Sequence, residues 1–217
     1  MRNFITQKEY RNTYDEDEAV GWICIDKKLE ETYKTAQPRH YAPELHYMLG
    51  GEDPLDGVSI FDSTQQEFHR HLVSYGMSEL YYNEEAAGQE FSKWGFEFTF
   101  RLKPFSEDTE DPTWGVNLMN NLARYVINSE KWFEPNHVIP ANGPIRQNTN
   151  TAIHGITFTI DPELGKIQTP HGEVIFLQIV GLTEAEIDRI KNSTSGYNEV
   201  EKILNEIKEN NPLMITD

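Results

Sequence analysis

The sequence predicts an α+β domain: a mixed, largely antiparallel sheet packed against helices. Three observations predict it. A nine-residue segment, 94–102, alternates aromatic and polar residues with a period of two. A short run, 174–180, is apolar at nearly every position. Between and after these lie segments whose apolar residues recur at helical spacing.

In the first of these, Trp94, Phe96, Phe98, Phe100 and Leu102 alternate with Gly95, Glu97, Thr99 and Arg101. Successive strand side chains point to opposite faces, so this pattern predicts a half-buried strand with an aromatic inner face. Segment 68–75 reads as a second strand. Segment 154–160 reads as a third, with His154, Ile156, Phe158 and Ile160 on one face. The run 174–180 is apolar on both faces apart from Gln178, which predicts a central strand. Thr169-Pro-His-Gly172 ahead of it has the chemistry of a turn.

Helices are predicted at four places. Residues 26–35 form a short one with Leu29 and Tyr33 on a common face. After Asp111-Pro112, Trp114, Leu118, Leu122 and Tyr125 make a stripe that Met119 and Val126 widen. Thr183 and Glu186 are spaced as a capping box, opening a helix that carries Ile187 and Ile190. Val200, Ile203, Leu204 and Ile207 mark the last helix, ended by Asn211-Pro212. The acidic stretch 13–20 is flanked by Tyr10, Tyr14 and Trp22, so residues 1–40 are expected to form an acidic, partly helical segment lying on a domain spanning 41–217, all one globular unit.

Composition narrows the function. The chain has 217 residues, with 36 acidic against 19 basic side chains and a formal net charge of −17. Such a surface repels phosphate backbones and anionic membranes and attracts basic proteins or peptides. Nucleic acid and membrane are therefore not expected as partners. No run approaches the ~20 apolar residues of a membrane span, and the first nine residues lack the apolar core of a secretory signal. Cys24 is the single cysteine, which fits a reducing, cytoplasmic setting.

Few side chains are spaced for chemistry. His69 and His71 would project from one strand face as a possible metal pair, but the strand supplies no third ligand. Asp53, Asp56 and Asp62 lie in and around the turn 50–57. Their spacing matches no calcium loop, and Asp and Gly there suit a tight turn. Cys24, between Ile23 and Ile25, reads as a small buried hydrophobe, and Ser63, Ser74 and Ser78 have no nucleophile-elbow motif around them. No cofactor is expected. A metal-assisted hydrolase built on His69 and His71 with Asp53 or Asp56 is the alternative to a binding role.

The distinctive residues come in whole segments. Gly50-Gly51-Glu52-Asp53-Pro54-Leu55-Asp56-Gly57-Val58-Ser59, the run from His69 to Tyr81, Trp94-Gly-Phe-Glu-Phe-Thr-Phe-Arg-Leu102, Pro112-Thr-Trp114 with Leu122-Ala-Arg-Tyr-Val126, Thr169-Pro-His-Gly172 and Phe176-Leu-Gln-Ile-Val-Gly181 resemble, in order, segments of the suppressor-of-fused family. The resemblance covers 41–217 and departs from the animal pattern at Arg70, Gly115 and Glu79. It implies an α+β domain that binds a protein without catalysis. Animal members restrain zinc-finger transcription factors, taking a peptide partly by strand addition, with a second domain that this length does not hold. Bacterial members are thought to include immunity proteins, and this short acidic chain looks closer to those, with a basic toxin domain or peptide as the implied partner. The resemblance also points to Tyr75, Glu79 and Tyr81 as partner-binding residues.

Overall fold

The structure, a computed structural model, describes residues 5–34, 37–141, 143–146 and 149–217. The chain runs α1 (Gln7–Thr13), α2 (Val20–Tyr33), β1 (Arg39–Tyr41), a 3₁₀ turn (Tyr47–Leu49), β2 (Gly57–Ser63), β3 (His69–Tyr75), a second 3₁₀ turn (Glu84–Ala86), β4 (Phe91–Leu102), α3 (Thr113–Ser129), β5 (Val138–Pro140), β6 (Ile153–Ile160), β7 (Lys166–Thr169), β8 (Gly172–Thr183), α4 (Glu184–Asn192) and α5 (Gly196–Asn210). The strands form one eight-stranded sheet in the order β1-β2-β3-β4-β8-β6-β5, with β7 also on β8. Among the described strands, β4 and β8 run parallel, in register from Phe96↔Ile175 to Phe100↔Ile179, and the other pairs are antiparallel. The α+β class with a mixed, largely antiparallel sheet is as the sequence predicts.

Helices cover both faces of the sheet. On one, Met119, Leu122, Ala123 and Val126 of α3 pack on Leu72, Phe96, Phe98, Phe100, Phe158, Leu177 and Ile179. On the other, Ile25 and Leu29 of α2 meet Phe61, Val73, Tyr75 and Phe176, while α4 and α5 bring Ile187, Val200, Ile203 and Leu204 against Val180 and Leu182. Strand β8 is therefore central and buried on both faces, as its composition predicts. The capping box at Thr183 and Glu186 is present, and so is the helix end at Asn211.

Three sequence expectations are corrected. Helix α2 starts at Val20 rather than 26; its first N–H groups, of Gly21 and Trp22, donate to Leu80 O at 2.9 and 3.2 Å, a tertiary cap that no local motif announces. Its expected end at Thr35 lies outside the described residues. The buried face of α3 is rotated toward Gly115, Met119 and Ala123, leaving Tyr125 exposed. There Gly115 lets the helix approach closely, since a Cβ would meet Leu72 Cδ2 and Leu102 Cδ1 at 3.0 Å. Cys24 is half-buried on α2, not fully enclosed, and burial pushes its thiol up. Strands β1, β2, β5 and β7 add to those expected.

The largest departure is in β4. Its polar face is buried as completely as its aromatic one, so Glu97, Thr99 and Arg101 have no measurable exposure. Burial of charge is tolerated only with partners. Arg101 Nη2 donates to Asp161 at 3.1 Å and lies 2.8 Å from Glu163, while Nη1 meets His69 Nε2 at 3.0 Å. Asp161 also accepts from Thr99 Oγ1 at 3.0 Å and lies 3.0 Å from His71 Nε2. Tyr33 of α2 closes the group, its hydroxyl 2.5 Å from His71 Nδ1. Burial would raise the Asp161 carboxyl, but His71 and Arg101 overrule it and hold it below the usual carboxylate range. Burial, reinforced by Arg101, lowers His71 to about 4, so its ring is neutral near neutral pH.

This has a pH consequence. The unfolded chain takes up a proton at His71 near its ordinary 6.5, which the folded chain refuses until about 4. Stability is therefore complete above 6.5 and lost as pH falls toward 4, by about 3 kcal/mol for this group. Urea unfolding between pH 7 and 4.5 is expected to show that loss, with a shallower slope in His71→Gln. Equal slopes in the two proteins would remove His71 as the cause.

Candidate functional site

The residues that the resemblance singles out lie in the segment leaving β3, Ser74-Tyr75-Gly76-Met77-Ser78-Glu79-Leu80-Tyr81. Its shape is set from below by the buried Glu97 carboxylate. Oε2 accepts from Ser74 Oγ (2.6 Å) and Met77 N (3.3 Å); Oε1 accepts from Ser78 Oγ (2.6 Å), Ser78 N (2.9 Å) and Gly76 N (3.0 Å). Burial pushes this carboxyl up, and the hydrogen bonds from Ser74, Ser78 and Gly76 pull it back. Gly76 has φ +134°, and a Cβ there would press on Pro54 O and Asp56 N at 3.0 Å.

Glu79 is pinned through its backbone. Its N–H donates to Ser92 Oγ at 2.9 Å, and its carbonyl accepts from His171 Nδ1 at 3.1 Å. The other ring nitrogen of His171 faces the Tyr10 hydroxyl at 2.7 Å, so a neutral, Nδ1-protonated ring satisfies both contacts. Burial lowers His171, which fits that form. The Glu79 side chain is half-buried and accepts from Asn83 Nδ2 at 3.1 Å; among the described residues it has no cationic partner. Tyr75 is buried, stacked on Trp22 at 4.2 Å with its hydroxyl donating to Asp26 Oδ1 at 2.8 Å, so it supports the segment from beneath. Tyr81 is 39% exposed and neighbours Asp56.

Beyond Tyr81 the surface turns apolar. Asp56 Oδ1 is 3.1 Å from His46 Nδ1, and His46 O accepts from Leu49 N and Gly51 N, which closes the 3₁₀ turn. That turn presents Leu45, Tyr47, Met48 and Leu49 to solvent, Met48 at 85%. Tyr81, Asp56 and His46 join this turn in one surface, and Glu79 stands two residues before Tyr81 on the same segment, its carboxylate beside Asn83.

The structure does not assemble the hydrolase residues. His69 and His71 are both buried: His69 Nδ1 donates to Glu67 O at 2.8 Å and its Nε2 meets Arg101, while His71 Nδ1 meets the Tyr33 hydroxyl and its Nε2 lies 3.0 Å from Asp161. Asp53 pairs with Arg124, Asp56 with His46, and Asp62, on β2, with Arg39 at 2.7 Å. Among the described residues no three His, Cys, Asp or Glu side chains group as a metal site. Sequence reasoning missed Glu97 and Asp161. The visible signal for Glu97 was a glutamate inside an aromatic strand; for Asp161 there was none.

Glu97→Gln puts an amide N–H₂ against donors that need an acceptor, and is expected to cost about 2 kcal/mol. Circular dichroism melting would show a lowered midpoint, with faster amide exchange at Gly76–Ser78. An unchanged midpoint would mean that the loop holds itself without the carboxylate.

Known proteins resemble this chain in sequence and in fold. The family model of the suppressor of fused protein matches residues 51–217, which include Glu79, Glu97, Arg101 and Asp161. Two curated relatives are the suppressor of fused homologs of Homo sapiens and Mus musculus, 40% and 39% identical over 152 residues. That stretch is 66% of this chain, and 31% of each relative, so the chain spans about a third of their length. Among solved structures, a chain of the Sufu–Fu complex superposes with a TM-score of 0.78 at 27% identity, covering 91% of this chain and 89% of that one. Drosophila Suppressor of Fused gives 0.69 at 24% identity over 88% of this chain and 55% of its own. A homologue from Neisseria gonorrhoeae FA 1090 gives 0.60 at 16% over 87% and 89%, a likeness of fold. With the buried polar strand, the loop it holds and most of the chain inside the matched region, this protein belongs to the suppressor-of-fused family.

Proposed function

We propose that this chain is a non-catalytic domain that sequesters or inhibits a basic protein partner, held on the surface of Glu79, Tyr81 and the 45–49 turn. The observation that carries this reading is the Glu79 carboxylate. Among the described residues it stands without a cation, on a loop that is fixed from beneath and also carries the exposed Tyr81, in a chain of net charge −17. The solved relative in complex with Fu supports a protein as the kind of ligand. Strand β1, exposed throughout and paired in the sheet only with β2, offers the near sheet edge for strand addition. A basic toxin domain, with this chain as its immunity protein, is the partner that best suits the charge. Tyr75 acts in this reading as a support, and Glu79 and Tyr81 as the contacts.

Pull-down with this domain from its source cells is expected to recover a basic protein whose capture weakens as salt rises. Glu79→Lys and Tyr81→Ala should each weaken purified binding about tenfold or more without changing the fold. Retention of only a small molecule, or a partner indifferent to both variants, would overturn the assignment.

A further inference from the structure

Helix α2 and the near edge of the sheet enclose a pocket that the proposed function does not use. Tyr75 of β3 sits opposite Gly57, and Phe61 lies further along β2 on the same face, so the two side chains are roughly 13 Å apart. Each carries a ring from α2: Trp22 stacks on Tyr75 at 4.2 Å, and Tyr33 on Phe61 at 4.2 Å. Between the two pairs the sheet presents the small side chain of Ser59, and a pocket of about 330 Å³ opens there, lined by all four rings.

His40 of β1 completes the aromatic lining. Its ring is 5.5 Å from that of Trp22 and 5.7 Å from that of Tyr75, with Nδ1 3.0 Å from Ser59 Oγ. Gly57 permits this position, since a Cβ there would collide with the His40 ring. The last glycine of the 50–57 turn thus has a use beyond the turn.

Charge decides what fits. Asp26 and Glu30, one turn apart on α2, bring two carboxylates to the pocket. Asp26 Oδ1 accepts from the Tyr75 hydroxyl at 2.8 Å. Among the described residues neither acid forms an ion pair, the nearby Lys28 being taken by Glu31 at 3.8 Å. Lys34, the C-cap of α2, is the one cation among the described lining residues, and it too is without an acidic partner there. The end of α2 adds the negative pole of the helix. Burial holds His40 below its ordinary range, so near neutral pH it brings no positive charge.

These features exclude most occupants. An apolar molecule would strip water from the acids without replacing it. Asp26, Glu30 and His40 do not group as a metal site. A quaternary ammonium suits aromatic rings but has no N–H to give the carboxylates. A guanidinium does both: its flat face lies on rings, and its five N–H groups reach several acceptors at once.

We propose that the pocket between α2 and strands β1 and β2 is a guanidinium-binding site, which takes an arginine side chain of another protein or a free arginine-like molecule. Glu79 and Tyr81 do not line it, so it stands or falls apart from the surface proposed above.

The test uses the whole chain and follows by NMR the indole N–H signal of Trp22, assigned through Trp22→Phe. Titration with N-acetyl-arginine methylamide is expected to move that signal with a Kd of about 1 mM or tighter. The citrulline counterpart, of the same shape without the charge, should bind about tenfold more weakly. Asp26→Asn keeps an oxygen for the Tyr75 hydroxyl and should weaken arginine binding about tenfold; Glu30→Gln, at an exposed position, should weaken it about twofold. Lys34→Gln removes the competing cation and should tighten binding about twofold, a change that damage to the fold would not produce. Glu79→Lys should leave the site unchanged. Tighter binding of free L-arginine than of the capped residue would identify a small molecule as the source. Equal binding of the capped residue and of an arginine within a glycine peptide would identify a protein side chain. Absence of any shift at about 10 mM ligand, equal binding of the arginine and citrulline forms, or movement of the Trp132 signal in place of Trp22 would overturn the proposal. So would binding indifferent to both Asp26→Asn and Glu30→Gln. If Asp26→Asn fails to fold by circular dichroism, Glu30→Gln and Lys34→Gln, both at exposed positions, still decide the matter.

Discussion

A charged strand face buried inside a sheet that is covered on both sides is the constraint on which this structure turns. Strand β4 gives its aromatic residues to the core under α3, and this commits Glu97, Thr99 and Arg101 to the opposite, equally closed side. Each buried charge then has to be matched within reach. Arg101 gathers Asp161, Glu163 and His69, and His71 and Tyr33 complete the group. Such an assembly contributes less to net stability than an apolar core of the same volume would. Its effect is on position: Asp161 fixes the bend between β6 and β7 by accepting from Glu163 N and Leu164 N, and Tyr33 ties α2 to the sheet.

Glu97 does the same for the loop that carries Glu79 and Tyr81. Five donors converge on it from three consecutive residues and Ser74, so the loop leaving β3 has one shape. Glu79 follows directly, held by Ser92 and His171, and Leu80 O caps α2. The N-terminal helices, the loop and the strand beneath are thus linked through a short chain of hydrogen bonds. A surface built this way, if it takes the partner proposed above, gives up little backbone entropy on binding, because its backbone is already ordered.

Much of this was legible in the residues. The period of two in 94–102, the all-apolar 174–180 and the Thr183–Glu186 capping box each located an element, because one local rule dominates there. What local rules could not supply was the environment of the second strand face. Glu97, Thr99 and Arg101 read as solvent-facing, since alternation cannot tell water from a buried polar layer. His69 and His71 looked like metal ligands for the same reason; their partners Arg101 and Asp161 lie far along the chain and meet them only through β3–β4 pairing and the turn after β6. The start of α2 was hidden because its cap is Leu80, 60 residues away. The segments shared with the family located the loop of Glu79 and Tyr81, but burial alone distinguished Tyr75 from them.

The order of strands also bears on how the chain comes to be folded. Strand β8 sits at the centre of the sheet, between β4 and β6, yet follows both in sequence. Its parallel register joins residues such as Phe98 and Leu177, so the loop to be closed spans most of a small domain. Until residues 172–183 have been made, β4 has an open, aromatic-rich edge with a glutamate and an arginine awaiting cover. Assembly is therefore a late, long-range event on a nascent chain, slow in the manner of high-contact-order folds, and the interval before it is when this protein is most exposed to wrong pairing and most in need of a chaperone.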